Sequence, residues 1–173
     1  METDIKLVCF YGPESTGKSV MAERLAKAYH TQFVPEVAKE IITSNDFTVE
    51  DIIRIGHAQT ERIIEKSKTA NRILFCDTDV ITTQIYSRHY LKTVPEILFT
   101  LEHQIRFDKY FLFYPDVPWV ADGLRDLGNR RDEMMQIFEE ELTKRNLSFI
   151  PVKGDWKERE AIIEKEINQL LIN

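Results

Sequence analysis

The 173 residues are long enough for one well-buried domain and short for two, and 43% hydrophobic with 30% charged side chains is the balance of an ordinary soluble globular chain. A formal net charge of −6 argues against nucleic acid as a partner, because the long-range field would repel a phosphate backbone. No apolar run approaches a membrane span and the first residues carry no signal-peptide pattern, so no membrane partner is expected, and Cys9 and Cys76 read as buried thiols in a reducing cytoplasm.

Residues 5–11 form an apolar run of strand length, and residues 20–29 carry the apolar spacing of an amphipathic helix. Between them lies Gly12-Pro13-Glu14-Ser15-Thr16-Gly17-Lys18-Ser19. The pattern G-x-x-x-x-G-K-S between a strand and a helix is the phosphate-binding P-loop. Glycine at Gly12 and Gly17 permits backbone conformations that let successive N–H groups turn around a phosphate, and the helix start adds amides and a positive dipole end. Lys18 is expected on the β- and γ-phosphates, and the Ser19 hydroxyl on Mg²⁺. Glu14, Ser15, Thr16 and Val20 complete the expected ATP contacts.

Further along, residues 31–34 read as a short strand ended by Pro35, with helices over 36–43 and 49–68. The run 72–76 is a strand stopping at Asp77. Helix follows, broken near Pro95 and resumed to about residue 106. Residues 110–114 form the next strand, and a polar, arginine-rich segment (122–131) leads into a helix ending near 146. Residues 148–152 make a last strand and 158–171 a last helix. Five apolar strands alternating with helices predict an α/β domain over 1–173, a doubly wound, five-stranded parallel sheet of the P-loop NTPase type.

Ligands of such sheets bind at the carboxyl ends of the strands. Asp77 follows four apolar residues, the Walker-B arrangement, and is expected to hold Mg²⁺ opposite Ser19. Asp79 could join the metal, bind a substrate hydroxyl, or simply start a helix. Glu36, at the end of the second strand, is placed to accept a proton from a hydroxyl attacking the γ-phosphate, and Lys39 lies beside it. Gly123 and Gly128 with Arg125, Arg130 and Arg131 suggest a lid, with Arg125 neutralising charge on the transferring group and Arg130 near the nucleotide. The last strand delivers Gly154 and Asp155 towards the nucleotide. Trp119 and Trp156 are placed in loops near strand ends, as packing residues or as contacts for a base or ring. The four histidines show no ligand spacing.

Residues 12–19, Val34-Pro35-Glu36, Cys76-Asp77-Thr78-Asp79 with Thr82-Thr83-Gln84, and Pro118-Trp119-Val120-Ala121-Asp122-Gly123-Leu124-Arg125 together resemble the ribosylnicotinamide kinase domain of the NadR family, over nearly the whole chain. The resemblance implies Mg²⁺-dependent transfer of phosphate from ATP to the 5′-hydroxyl of nicotinamide riboside, with Glu36 as base and Asp122 and Trp119 on the substrate side. Two positions depart from that family: Pro35 stands where an aromatic stacks on the ring, and Lys39 where an arginine is usual. A P-loop ATPase regulating a partner, and a nucleotide-binding module without turnover, are the rival readings. Oligomeric state is left open by the sequence.

Overall fold

In the computed structural model, which describes residues 4–117 and 130–172, the apolar run before the glycines becomes β1 (Lys6–Tyr11) at the centre of a sheet. β3 (Ile73–Asp77) and β4 (Lys109–Phe113) pair with it on either side, and β2 (Phe33–Val34) and β5 (Ile150–Val152) form the edges. The order is β2-β3-β1-β4-β5 and each pairing is parallel.

Such a sheet needs cover on both faces. Val8 and Phe10 project onto one face, against Met21 and Leu25 of α1 (Lys18–Ala28) and Ile163 and Ile167 of α7 (Trp156–Ile172). Cys9 and Tyr11 project onto the other, against Ile81 and Ile85 of α4 (Val80–Leu91) and Phe138 and Leu142 of α6 (Arg131–Lys144). This is the two-residue alternation of a strand, with all four β1 side chains wholly buried. The doubly wound α/β layout expected from the strand and helix alternation is the one observed. Burial pushes the thiols of Cys9 and Cys76 well up from their ordinary value, which keeps them protonated and inert.

Two departures from the expected elements bear on the site. Pro35 cannot donate to a ladder, so β2 has two residues, and the helix expected over 36–43 contracts to α2 (Ala38–Ile41). Glu36 therefore sits in the short connection between them. The last helix starts earlier than expected, at Trp156, because the Asp155 carboxylate accepts from the Glu158 N–H at 2.9 Å. Trp156 is thus in a helical turn and not in a loop. No helix among the described residues is long and apolar enough to cross a membrane.

Over β2 and β3 on the second face, where Ile63 packs on Val34, Leu74 and Cys76, lies α3 (Val49–Ser67), which starts at a reciprocal cap between Thr48 and Asp51. It crosses α5 (Glu96–Glu102) at Gly56, where a Cβ would stand 2.4 Å from Leu98 Cδ2. Alanine there would gain about 1 kcal/mol of helix propensity. Overpacking typically costs about 1–3 kcal/mol, and Leu98 is fully buried. Gly56→Ala is expected to lower the midpoint of chemical denaturation. Gly56→Ala combined with Leu98→Ala should lose less stability than the two single losses added together; strict additivity would place the clash elsewhere.

Candidate active site

The register of the central strands sets the site. Phe10 pairs with Asp77 across β1 and β3, and the Thr78 N–H donates to the Phe10 carbonyl at 2.9 Å. The phosphate loop and the Asp77 carboxylate therefore leave the sheet side by side. Gly12 has φ 135°, and a Cβ there would stand 2.7 Å from the Phe113 carbonyl oxygen of the neighbouring strand. Only glycine lets the loop pass that close. Gly17, at φ 89°, precedes α1, which has no side-chain cap and no acidic residue in its first turn. Its first amides and dipole end are suited to an anion.

Cations hold the loop from outside. Arg159 is 1% exposed and donates to the Thr16 carbonyl at 3.1 Å, to Gly154 at 2.9 Å and to Tyr114 at 2.8 Å, and it pairs with Asp116. Burial lowers its pKa, and Asp116 works against that shift. Arg131 donates to the Ser15 carbonyl at 3.3 Å and to Val117 at 2.7 Å. In a trans peptide the N–H points opposite to the preceding C=O. Fixing the carbonyls of Ser15 and Thr16 on arginines turns the N–H groups of Thr16 and Gly17 the other way. Lys18 is 8% exposed and reaches back to the Pro13 carbonyl at 2.6 Å and Thr16 Oγ1 at 3.3 Å.

Asp77 is 2% exposed and ends β3. Thr78 follows at φ 71°, a strained backbone for a β-branched residue of the kind that collects at functional sites. Asp79 does what its alternative reading held. Its Oδ1 caps α4, accepting from the Thr82 N–H at 3.2 Å, and its Oδ2 accepts from the Tyr110 hydroxyl at 2.9 Å. Burial pushes its carboxyl up to about 6, against the opposite pull of the Thr82 amide and the Tyr110 hydroxyl. Glu36 lines the same cleft as Asp77, with Lys39 Nζ 4.0 Å from its carboxylate.

All of this surrounds one cleft of about 410 Å³. Residues 14–20 of the loop, Asp77, Trp156 and Arg159 line its phosphate end. Glu36, Lys39, Phe47, Ile52, Ile55 and Gln59 line the other. Thr82, Thr83 and Tyr86 of α4 also line the cleft. Among the described residues no group of three or more His, Cys, Asp and Glu is arranged to hold a metal. Mg²⁺ that arrives with a nucleotide needs only one or two protein oxygens besides phosphate and water, and the hard oxygen donors of Ser19 and Asp77 suit it.

A family model described as an AAA domain (AAA_28) matches residues 7–159. The chain belongs to this family. The trifunctional NAD biosynthesis/regulator protein NadR of Salmonella typhimurium is 33% identical to this AAA domain over 159 residues, which cover 86% of the chain and 38% of that relative's length. Among solved structures, a NadR protein in complex with NR superposes with a TM-score of 0.82 at 23% identity, over 98% of this chain and 52% of that one. A deoxyadenosine kinase from M. mycoides with bound dCMP superposes with a TM-score of 0.66 at 12% identity, over 94% of this chain and 99% of that one. The two superpositions establish the P-loop kinase-like fold of this AAA domain.

Of the residues expected at the site, the P-loop set from Gly12 to Val20, Glu36, Lys39 and Asp77 is brought together. Trp119, Asp122 and Arg125 lie outside the described residues. Asp79 does not line the cleft: one of its oxygens caps α4 and the other accepts from the Tyr110 hydroxyl. Arg130 is exposed and pairs with Glu133 at 2.9 Å, whereas its neighbour Arg131 reaches the loop. Gly154 and Asp155 do not line the cleft: the Gly154 N–H donates to Asp116 at 2.7 Å and Asp155 caps α7. Arg159 escaped the sequence reading. Its signal was the stripe Arg159, Ile163 and Ile167 at four-residue spacing, which is the buried side of α7.

Arg159→Met removes a guanidinium that satisfies three carbonyls. It is expected to cost about 2–4 kcal/mol in chemical denaturation and to raise the Kd for ATP. Arg159→Lys should not restore ATP binding, since one ammonium cannot span those acceptors. ATP affinity unchanged in both variants would mean that the Thr16–Gly17 peptide keeps its orientation without the arginine.

Proposed function

We propose that this AAA domain is a kinase that transfers the γ-phosphoryl group of ATP to the primary hydroxyl of a nucleoside-like acceptor, with nicotinamide riboside as the foremost candidate. The observation that carries the reading is the two-sided cleft. A phosphate loop with Asp77 stands at one end, and Glu36 stands at the opening of an apolar chamber at the other. A plain ATPase has no need of that chamber. The NR bound to the structurally similar NadR protein supports the acceptor, and the bound dCMP of the deoxyadenosine kinase supports a nucleoside. In place of the stacking aromatic that Pro35 replaces, Phe47 and Tyr86 offer rings to the cleft.

The chain's own groups account for the steps. The N–H groups of the loop and α1 bind the β- and γ-phosphates, and Lys18 swings from the Pro13 carbonyl onto their oxygens. Ser19 and Asp77 would hold Mg²⁺, which when bound offsets charge on the phosphate oxygens. Glu36 hydrogen-bonds the acceptor hydroxyl and orients it in line with the γ-phosphorus. The new O–P bond forms as the bond to the β-phosphate oxygen breaks, the hydroxyl proton passes to Glu36, and ADP leaves. Lys39, with its Nζ 4.0 Å from the Glu36 carboxylate, helps hold that carboxylate in place.

A coupled ADP assay with and without ribosides tests the reading. Glu36→Gln is expected to reduce acceptor phosphorylation by about 10²–10⁴-fold while ATP affinity stays unchanged, because it removes no ATP contact. Lys18→Ala and Asp77→Asn should suppress phosphorylation and background hydrolysis alike. Full-rate phosphorylation by Glu36→Gln would remove Glu36 as base. ADP formation that no riboside increases would leave a regulatory ATPase.

A further inference from the structure

Gln59 is 2% exposed yet lines the acceptor end of the cleft. One bond orients its carboxamide: Oε1 accepts from the Val37 N–H at 2.9 Å. A backbone N–H can only donate, so the oxygen must face Val37 and the NH₂ must face away from it. That Nε2 has no hydrogen-bond partner among the described residues. An unmet buried donor costs about 1–3 kcal/mol, and such orphans call for a ligand or a purpose. Its neighbours on the same face of α3 are Ile52 and Ile55, with Phe47 beside them. Hydrocarbon offers no acceptor. Val37 is also the residue after Glu36, so the orphaned donor is tied to the same short connection that carries the candidate base.

Building on the kinase reading above, we propose that Gln59 Nε2 is the recognition donor for a carbonyl oxygen on the acceptor's heterocycle. In nicotinamide riboside that oxygen belongs to the ring carboxamide. The apolar side chains then bury the ring faces without discriminating among rings, and Gln59 selects the substituent. A ring without an acceptor leaves the Nε2 desolvated and unpaired, which is the situation in which one hydrogen bond discriminates strongly. The Val37 bond adds to this by keeping the amide from flipping and presenting its oxygen instead.

The test compares kcat/KM for nicotinamide riboside and for the pyridinium riboside that lacks the carboxamide, in the wild type, Gln59→Leu and Gln59→Glu. The wild type is expected to prefer nicotinamide riboside by about 10- to 100-fold. Both variants should bring that ratio towards one, with the KM for ATP unchanged. Gln59→Glu still accepts from Val37 and so preserves the local fold if Gln59→Leu does not, and any added attraction for the pyridinium charge cancels in the ratio. Equal losses on the two ribosides, leaving the ratio intact, would make Gln59 a structural residue and overturn the inference alone. A wild-type protein that binds ATP but phosphorylates neither riboside would overturn the acceptor assignment and this inference with it.

Discussion

Along the seam between β1 and β3, parallel hydrogen bonding sets Cys9 against Cys76 and Phe10 against Asp77, and everything catalytic in the cleft is placed from there. The two strands are buried on both faces, one against α1 and α7, the other against α4 and α6 where β1 is covered and against α3 where β3 is covered. A slip of one residue would move every side chain of a strand to the opposite face. The apolar runs thus do more than supply burial energy. They fix a register, and the register delivers the first glycine of the loop and the last carboxylate of β3 to the same edge of the sheet.

The loop itself is shaped by electrostatics as much as by glycine. Carbonyls of Ser15 and Thr16 are drawn towards Arg131 and Arg159, and the amides on the other side of those peptides are left for an anion. Burying Arg159 is costly, as its lowered pKa records. The cost is offset by three carbonyls and the Asp116 carboxylate, which together also tie α7, β4 and the loop after β5 to the nucleotide site. Structure and function share one side chain here: the charge that anchors α7 is the charge that orients the phosphate loop.

Polarity divides the cleft in two. At the loop end, amides, Lys18 and Asp77 suit phosphate, while α3 presents Ile52 and Ile55 at the other end. Glu36 and Lys39 line that second end beside the apolar side chains. In the proposed kinase, an apolar chamber would keep water from the position of the attacking hydroxyl and favour transfer to an acceptor over hydrolysis. Within that chamber the amide of Gln59 is conspicuous, since its oxygen is taken by the Val37 N–H while its Nε2 is left without a partner among the described residues.

The sequence by itself determined the local chemistry. The glycine–lysine–serine spacing, the apolar runs and the acid at the end of β3 are each readable within a dozen residues, because strand burial and phosphate binding demand fixed residue types at fixed offsets. Helix boundaries near the site were less legible: Pro35 shortened β2, and a cap at Asp155 drew Trp156 into α7. What only the tertiary structure decided were the partnerships between segments far apart in the chain. Asp79 looked like a second metal or substrate ligand until Tyr110, 31 residues on, was seen to occupy it. Arg159 drew no reading from the sequence, because its partner Thr16 lies 143 residues away along the chain and only the packing of α7 brings the two together. Gln59 carried no signal at all, because the chemistry of an amide depends on which of its ends is already bonded, and that was set by Val37 from another element. A side chain's type is written in the sequence, but whether it is left over for a ligand is decided only when the rest of the chain has chosen its own partners.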